Sequence, residues 1–297
     1  MIYRNILQYG RGRYFWVSLL AVLSSFVLYF TQGGVQPPNG GTWQGYVLGT
    51  VGALLIVWLA FLGVRKRSYK NGSGSLQGWT SAHVYLGTAV LFIASLHCAM
   101  QFGWNVHTLS YVLMCIVIFS GFYGLYKYLN LPQHIVRNRS GKARSQLFNT
   151  LYELDQQARA IGQKCHPAVS LAVKSGVERT VLGGPAAAQL RQRDASKFLR
   201  ADAEEATATA VLQGNRDQQP LIDFVAARVP QADKRSEAMN LQDLLSVLCR
   251  RQSVLRQLRR DIALQGWLKV WLYFHIPVTI ALIFSLLVHV TTTFIYW

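Results

Sequence analysis

The stretches WTSAHVYLGTAVLFIASLHCAMQF, Trp79–Phe102, and WLYFHIPVTIALIFSLLVHVTTTFIYW, Trp271–Trp297, decide how this chain is read. Neither contains Asp, Glu, Lys or Arg. A helix rising 1.5 Å per residue needs about 20 mostly apolar residues to cross a hydrocarbon core of about 30 Å, and both stretches are long enough. Each carries two histidines fourteen residues apart: His83 and His97 in one, His275 and His289 in the other. Ionisable side chains are costly inside a bilayer, so each invites a functional reading.

Three further stretches have the same length and character: Tyr14–Thr31, Tyr46–Val64 and Leu109–Tyr126. Arg65, Lys66 and Arg67 close the second span, and Lys127 follows the fourth. Arg4, Arg11 and Arg13 precede the first span in the manner of a signal peptide. Its exit, Tyr29-Phe30-Thr31-Gln32, lacks a small-x-small cleavage pattern, which predicts a retained helix.

Charge divides the chain further. It has 297 residues, a formal net charge of +17 and 51% hydrophobic residues. Every Asp and Glu lies between Glu153 and Asp261. The expected fold is an all-α integral membrane protein, a bundle of five transmembrane helices with a cytoplasmic helical-hairpin insert between the fourth and fifth. Residues 1–130 hold spans one to four, 131–266 the insert, and 267–297 the fifth span. Lys and Arg occur in 1–13, 65–78 and 127–270, and are missing from 32–45, 103–108 and the C-terminal end. The positive-inside rule then puts the N-terminus in the cytoplasm and the C-terminus outside a cell membrane, the inner one in a Gram-negative cell. The third and fifth spans run parallel in that topology.

Within the insert, Leu147, Leu151, Leu154, Ala158 and Ile161 form one helical seam. Leu241, Leu248, Leu255 and Ile262 recur every seven residues and form another, with Leu244 and Leu258 between them. Residues 144–162 and 237–266 are therefore expected to make an antiparallel stalk around a less regular 163–236. Val169–Val173, Thr180–Leu182 and Ala206–Leu212 fit strand or helix equally. Neither G-x-G-x-x-G nor a P-loop pattern occurs there, against a nucleotide-binding domain. The insert holds 21 of the 30 Lys and Arg against all 13 acidic residues, a modest excess without aromatic interleaving, so no nucleic acid is expected.

Fourteen residues make just under four helical turns, so both rings of a span face nearly the same side, about 21 Å apart along the axis. On parallel helices His83 comes level with His275 near the cytoplasmic face, and His97 with His289 near the outer face. Two bis-histidine sites result, suited to two non-covalent b-type haems with His83, His275, His97 and His289 as axial iron ligands. Six-coordinate haem favours electron transfer over ligand binding. Cys98, Cys115, Cys165 and Cys249 form no C-x-x-C and no C-x-x-C-H. Iron–sulfur, structural zinc and covalent c-type haem therefore lack a ligand set, and the cysteines read as single buried or lipid-facing residues. With no carboxylate in the spans, an electron path is favoured over a proton path.

Neighbouring residues suit this reading. Gly87, Gly49, Gly52, Gly121 and Gly124 admit either a flat ring or a close helix. Arg11, Arg13, Arg65, Lys66, Arg67, Lys127 and Lys269 line the cytoplasmic rim; one or two are expected to pair with propionates of the inner haem. The outer haem would turn to water, Trp104, Asn105, His107 or the Thr291–Thr293 hydroxyls. Pro277 frees the Tyr273 carbonyl, either aiming His275 or simply kinking the helix. His107, His134 and His166 lack a matched partner and read as interfacial or solvated.

The paired His-x13-His helices, His83…His97 and His275…His289, resemble the di-haem core of cytochrome b proteins. Their placement on the third and fifth spans looks most like the ferric reductase and NADPH oxidase transmembrane domain. The resemblance implies that the four histidines are axial ligands and that electrons cross the membrane between the haems. It covers the spans and not the insert, and the chain shows no C-terminal flavin and nicotinamide domain. The expected function is a di-haem electron conduit, the membrane subunit of a larger oxidoreductase rather than a complete enzyme. Its partners would be the lipid bilayer and redox subunits or electron carriers on one or both faces; quinone is one candidate, though no residue set marks its site. The alternatives are a self-contained transmembrane reductase of ferric iron or oxygen, and a membrane anchor whose insert recruits partners.

Overall fold

The computed structural model describes residues 6–32, 39–67, 74–201, 210–232 and 234–295. Two compact units emerge, residues 1–129 with 270–297, and residues 130–269.

The first unit contains α1 (Arg13–Phe30), α2 (Trp43–Arg67), α3 (Leu76–His97), most of α4 (Val106–Arg139) and the last part of α9 (Arg235–Ile295). All five helices are long and apolar enough to cross a membrane. Their outward faces are correspondingly apolar, with Leu20, Val27, Leu54, Phe119, Phe284 and Leu287 exposed. Ser75 caps α3 by accepting from the Gly78 amide at 3.1 Å, while its hydroxyl donates to Tyr9 at 2.8 Å. The Tyr85 hydroxyl reaches the Leu7 carbonyl at 2.9 Å, fastening the segment before α1 to α3. The third span runs less far than hydropathy suggests. α3 stops at His97, and Ala99 and Met100 follow with φ of 45° and 56°, reversing the chain. Tyr296 and Trp297, the end of the fifth span, lie outside the described residues.

α4 and the end of α9 pack antiparallel along a ladder of contacts. His107 meets His289, Ser110 meets Ser285 at 2.7 Å, Ser120 meets His275 at 2.7 Å, and the Ser120 carbonyl accepts from the Trp271 indole at 2.7 Å. Small side chains let the helices approach, and neutral hydrogen bonds join them where no water competes. Gly124 belongs to this seam, since a Cβ there would overlap the Trp271 ring.

The second unit is built from the end of α4, α5 (Arg144–Gly162), α6 (Pro167–Glu178), α7 (Ala186–Leu190), α8 (Gln219–Ala226) and the start of α9. Both leucine seams enter one core: Leu147, Leu151 and Leu154 of α5 pack with Leu241, Leu244, Leu248, Leu255 and Leu258 of α9. Phe198, Val169, Ala172 and Leu221 fill the same core, so the unit is more than a two-helix stalk. Val169–Val173 is helical, within α6. Thr180–Leu182 forms no regular element, and residues 206–209 of the third ambiguous run lie outside the described residues.

The all-α expectation needs one correction. β1 (Lys197–Arg200) and β2 (Val211–Gly214) pair antiparallel, Lys197 opposite Gly214 and Arg200 opposite Val211. Phe198 is the anchor: it points into the helical core, fully buried, and its neighbours alternate outward.

Candidate functional site

The four span histidines fall into two groups. His83 on α3 and His275 on α9 line one cavity between α2, α3, α4 and α9. His97 and His289 have ring centroids 6.1 Å apart with planes at 85°. His83 precedes His97 and His275 precedes His289, so α3 and this part of α9 run in the same direction.

The first cavity encloses about 690 Å³ of atom-free space including its open side. Apart from the histidines its walls are largely apolar, among them Ile56, Leu59, Val84, Val90, Met114 and Leu282. The hydroxyls of Thr88 and Thr279 also line it, but each donates to its own helix, to Val84 at 2.9 Å and to His275 at 2.7 Å. Gly87 and Gly121 face the same space. A Cβ at Gly121 would meet His275 Cε1 at 3.7 Å, and one at Gly87 would meet Leu59 Cδ1 at 3.8 Å, both ordinary contacts. Helix packing alone therefore does not require glycine at either position. Gly49 is the opposite case, since its Cβ would stand 2.7 Å from His97 Cε1. The absence of a side chain there is what lets the His97 ring lie against α2.

Hydrogen bonds fix which ring nitrogen of each histidine is available. His83 Nδ1 lies 3.1 Å from the Leu59 carbonyl, and His97 Nδ1 lies 2.8 Å from the Gly45 carbonyl. A carbonyl only accepts, so both rings carry their proton on Nδ1. His275 Nδ1 lies 2.7 Å from Ser120 Oγ, which itself donates to the Val117 carbonyl at 2.8 Å. That hydroxyl has spent its proton, so His275 also donates through Nδ1. His289 Nδ1 faces His107 Nδ1 at 2.5 Å. In three of the four rings Nε2 therefore presents a lone pair, and in all four Nδ1 is engaged. No hydrogen bond to any of the four Nε2 atoms is found among the described residues. Neutral imidazoles anchored through Nδ1 and free at Nε2 are suited to binding a metal.

Other candidate residues have other partners. The hydroxyls of Thr291, Thr292 and Thr293 donate back to α9, to Leu287 and twice to His289. The Asn105 side chain caps α4 by accepting from the Thr108 amide at 3.0 Å. Pro277 sits inside α9, which continues through it. His134 and His166 are exposed, and His166 caps α6. His107 is exposed too, yet its contact with His289 was missed by spacing alone. The register set by Ser110 with Ser285 and Ser120 with His275 brings His107 within one residue of His289, a relation no local sequence pattern displays.

Among the described residues no group of three or more His, Cys, Asp or Glu is arranged to hold a bare metal ion. Comparison with protein-family models, curated proteins and solved structures finds no match to this chain.

Proposed function

We propose that this protein is a di-haem b-type cytochrome that carries electrons across a membrane as a subunit of a larger oxidoreductase. One observation carries the reading: four histidines on two parallel spans come in two pairs, each anchored through Nδ1. Haem supplies reversible one-electron chemistry at iron, and two imidazole ligands suit it to electron transfer.

The residues fit that group at both sites. The outer group would be held by His97 and His289, whose ring centroids lie 6.1 Å apart, with Gly49 leaving the His97 ring room against α2. At the other pair, a largely apolar cavity with two sterically unforced glycines offers a flat macrocycle room beside His83 and His275. Leu59, Gly45 and Ser120 hold their rings in one tautomer, so the ligand lone pairs are oriented in advance. With both imidazoles bound, no axial position would be left for a small ligand, which favours electron passage over binding chemistry.

The basic segments and the acid-free connections support a cytoplasmic N-terminus and insert, with His83 and His275 on the inner side and His97 and His289 on the outer. In this reading donor and acceptor are separate redox proteins or a carrier such as quinone, and the acid-free spans favour electron over proton passage.

The test is a reduced-minus-oxidised spectrum with a pyridine haemochrome assay on the purified full chain. Two b-type haems per chain are expected, and a chain purified with haem available but binding none sinks the proposal. Reduction of ferric iron or oxygen without any partner would move the reading to a self-contained reductase.

A further inference from the structure

The two sites differ in one respect that their matched spacing hides. His83, His97 and His275 lean on oxygen atoms of neighbouring helices, whereas His289 leans on a second imidazole. We propose that His107 is a positioning residue that holds and polarises the outer axial ligand His289, so that the outer haem is tuned differently from the inner one. This rests on the di-haem reading above.

The contact is built into the fold. The rings of His107 and His289 have centroids 4.4 Å apart with planes at 83°, an edge-on arrangement. His107 occupies the first turn of α4, where Asn105 caps the helix through the Thr108 amide and Thr108 Oγ1 accepts from the Gly103 amide at 3.1 Å. One turn further on, Ser110 and Ser285 join the same two helices at 2.7 Å. The reversal at Ala99 and Met100 returns the chain after His97, so that His107 arrives at the end of the bundle where His97 and His289 already meet.

The direction of the bond follows from the ligation. To bind iron through Nε2, a neutral His289 keeps its proton on Nδ1, so His107 Nδ1 must be the acceptor. An acceptor at that position raises the basicity of the ligating nitrogen and favours ferric over ferrous iron. An imidazole nitrogen is a stronger acceptor than the Ser120 hydroxyl that serves His275 on the inner side. His107 therefore lowers the outer midpoint potential relative to an unpartnered ligand, and leaves the inner one alone.

The experiment compares purified full-length wild type, His107→Leu and His107→Gln by haem count, potentiometric titration and low-temperature EPR. His107→Leu is expected to keep two haems, shift one midpoint potential upward and change one ferric EPR signal, leaving the other haem unmoved. His107→Gln, whose amide oxygen accepts a hydrogen bond, should return both readouts toward wild type. Where the Leu variant does not accumulate, a small upward shift of one potential in the Gln variant is the supporting result. Unchanged potentials and EPR overturn the proposal. So does loss of one haem in both variants, which would make His107 a ligand and not a positioning residue. A wild-type chain without haem overturns the underlying reading as well, and the haem count distinguishes that failure before any variant is compared.

Discussion

Asp261, with no exposed surface, is held by Arg139 at 2.7 Å, and Arg251, 1% exposed, is held by Asp155 at 2.5 Å. Both pairs belong to the 130–269 unit. In the other unit the buried polar residues among those described are Ser18, Ser25, Gln44, Ser81, Ser110 and Ser285, none of them charged. The contrast follows from what lies outside each unit. Where part of a pair reaches the surface, as Arg139 does at 20%, water can solvate it; Arg259 and Asp194, 8% and 4% exposed, satisfy each other inside the unit. Lipid offers no such help: Ser18 and Ser25 donate back to their own helix and Ser110 pairs with Ser285 across two helices, with no buried charge among the described residues of the unit. One unit is held by a leucine core and charge pairs, the other by small residues and neutral hydrogen bonds.

The largest effect should come from removing a buried charge partner. Asp155→Ala leaves Arg251, 1% exposed, without its carboxylate and is expected to cost about 3 kcal/mol in the second unit. Cys165 reports it, since that thiol is buried in the same core and burial pushes its pKa up. A thiol reagent should label Cys165 at a lower temperature in the variant, while exposed Cys249 labels at once in both. Equal melting profiles would remove charge pairing from the account of that unit.

Glycine gives the next effect, within the membrane unit. Gly124→Ala drives a methyl group into the Trp271 ring and should cost about 1–3 kcal/mol. Gly121→Ala meets only an ordinary contact with His275, so its melting temperature should match wild type. Circular dichroism melts in detergent compare the two, and a reversed order would show that the seam is not close-packed.

The smallest effect is expected at the surface of the second unit. Arg256 and Asp217 form a pair that is 55% and 37% exposed, so Arg256→Gln should change stability by only about 0–1 kcal/mol, and less in high salt. A large loss in the same thiol-labelling assay would mean that this pair anchors the turn at Asp217 and Gln218, both in the left-handed region with φ of 54° and 62°.

Much of the membrane unit was legible in the residues because a bilayer leaves few options. Long apolar runs must be helices, and the parallel course of α3 and α9 followed from where Lys and Arg fall. Helix ends were less legible. α4 continues past Lys127 to Arg139, through Pro132, where neither hydropathy nor helical propensity marks it. α9 joins the charged leucine seam and the last span in one element, although their apolar patterns differ. The hairpin of β1 and β2 was hidden because each strand has 4 residues, too few for a period to stand out. His107 was hidden for another reason: its partner lies 182 residues away, and only the antiparallel register of two helices brings them together.

Haem counts in double variants show which histidines share a haem. His83→Leu with His275→Leu removes both residues of one pair and should leave one haem per chain. His83→Leu with His289→Leu breaks both pairs and should leave none. If the first combination loses both haems while the second keeps one, His83 shares a haem with His289 and not with His275.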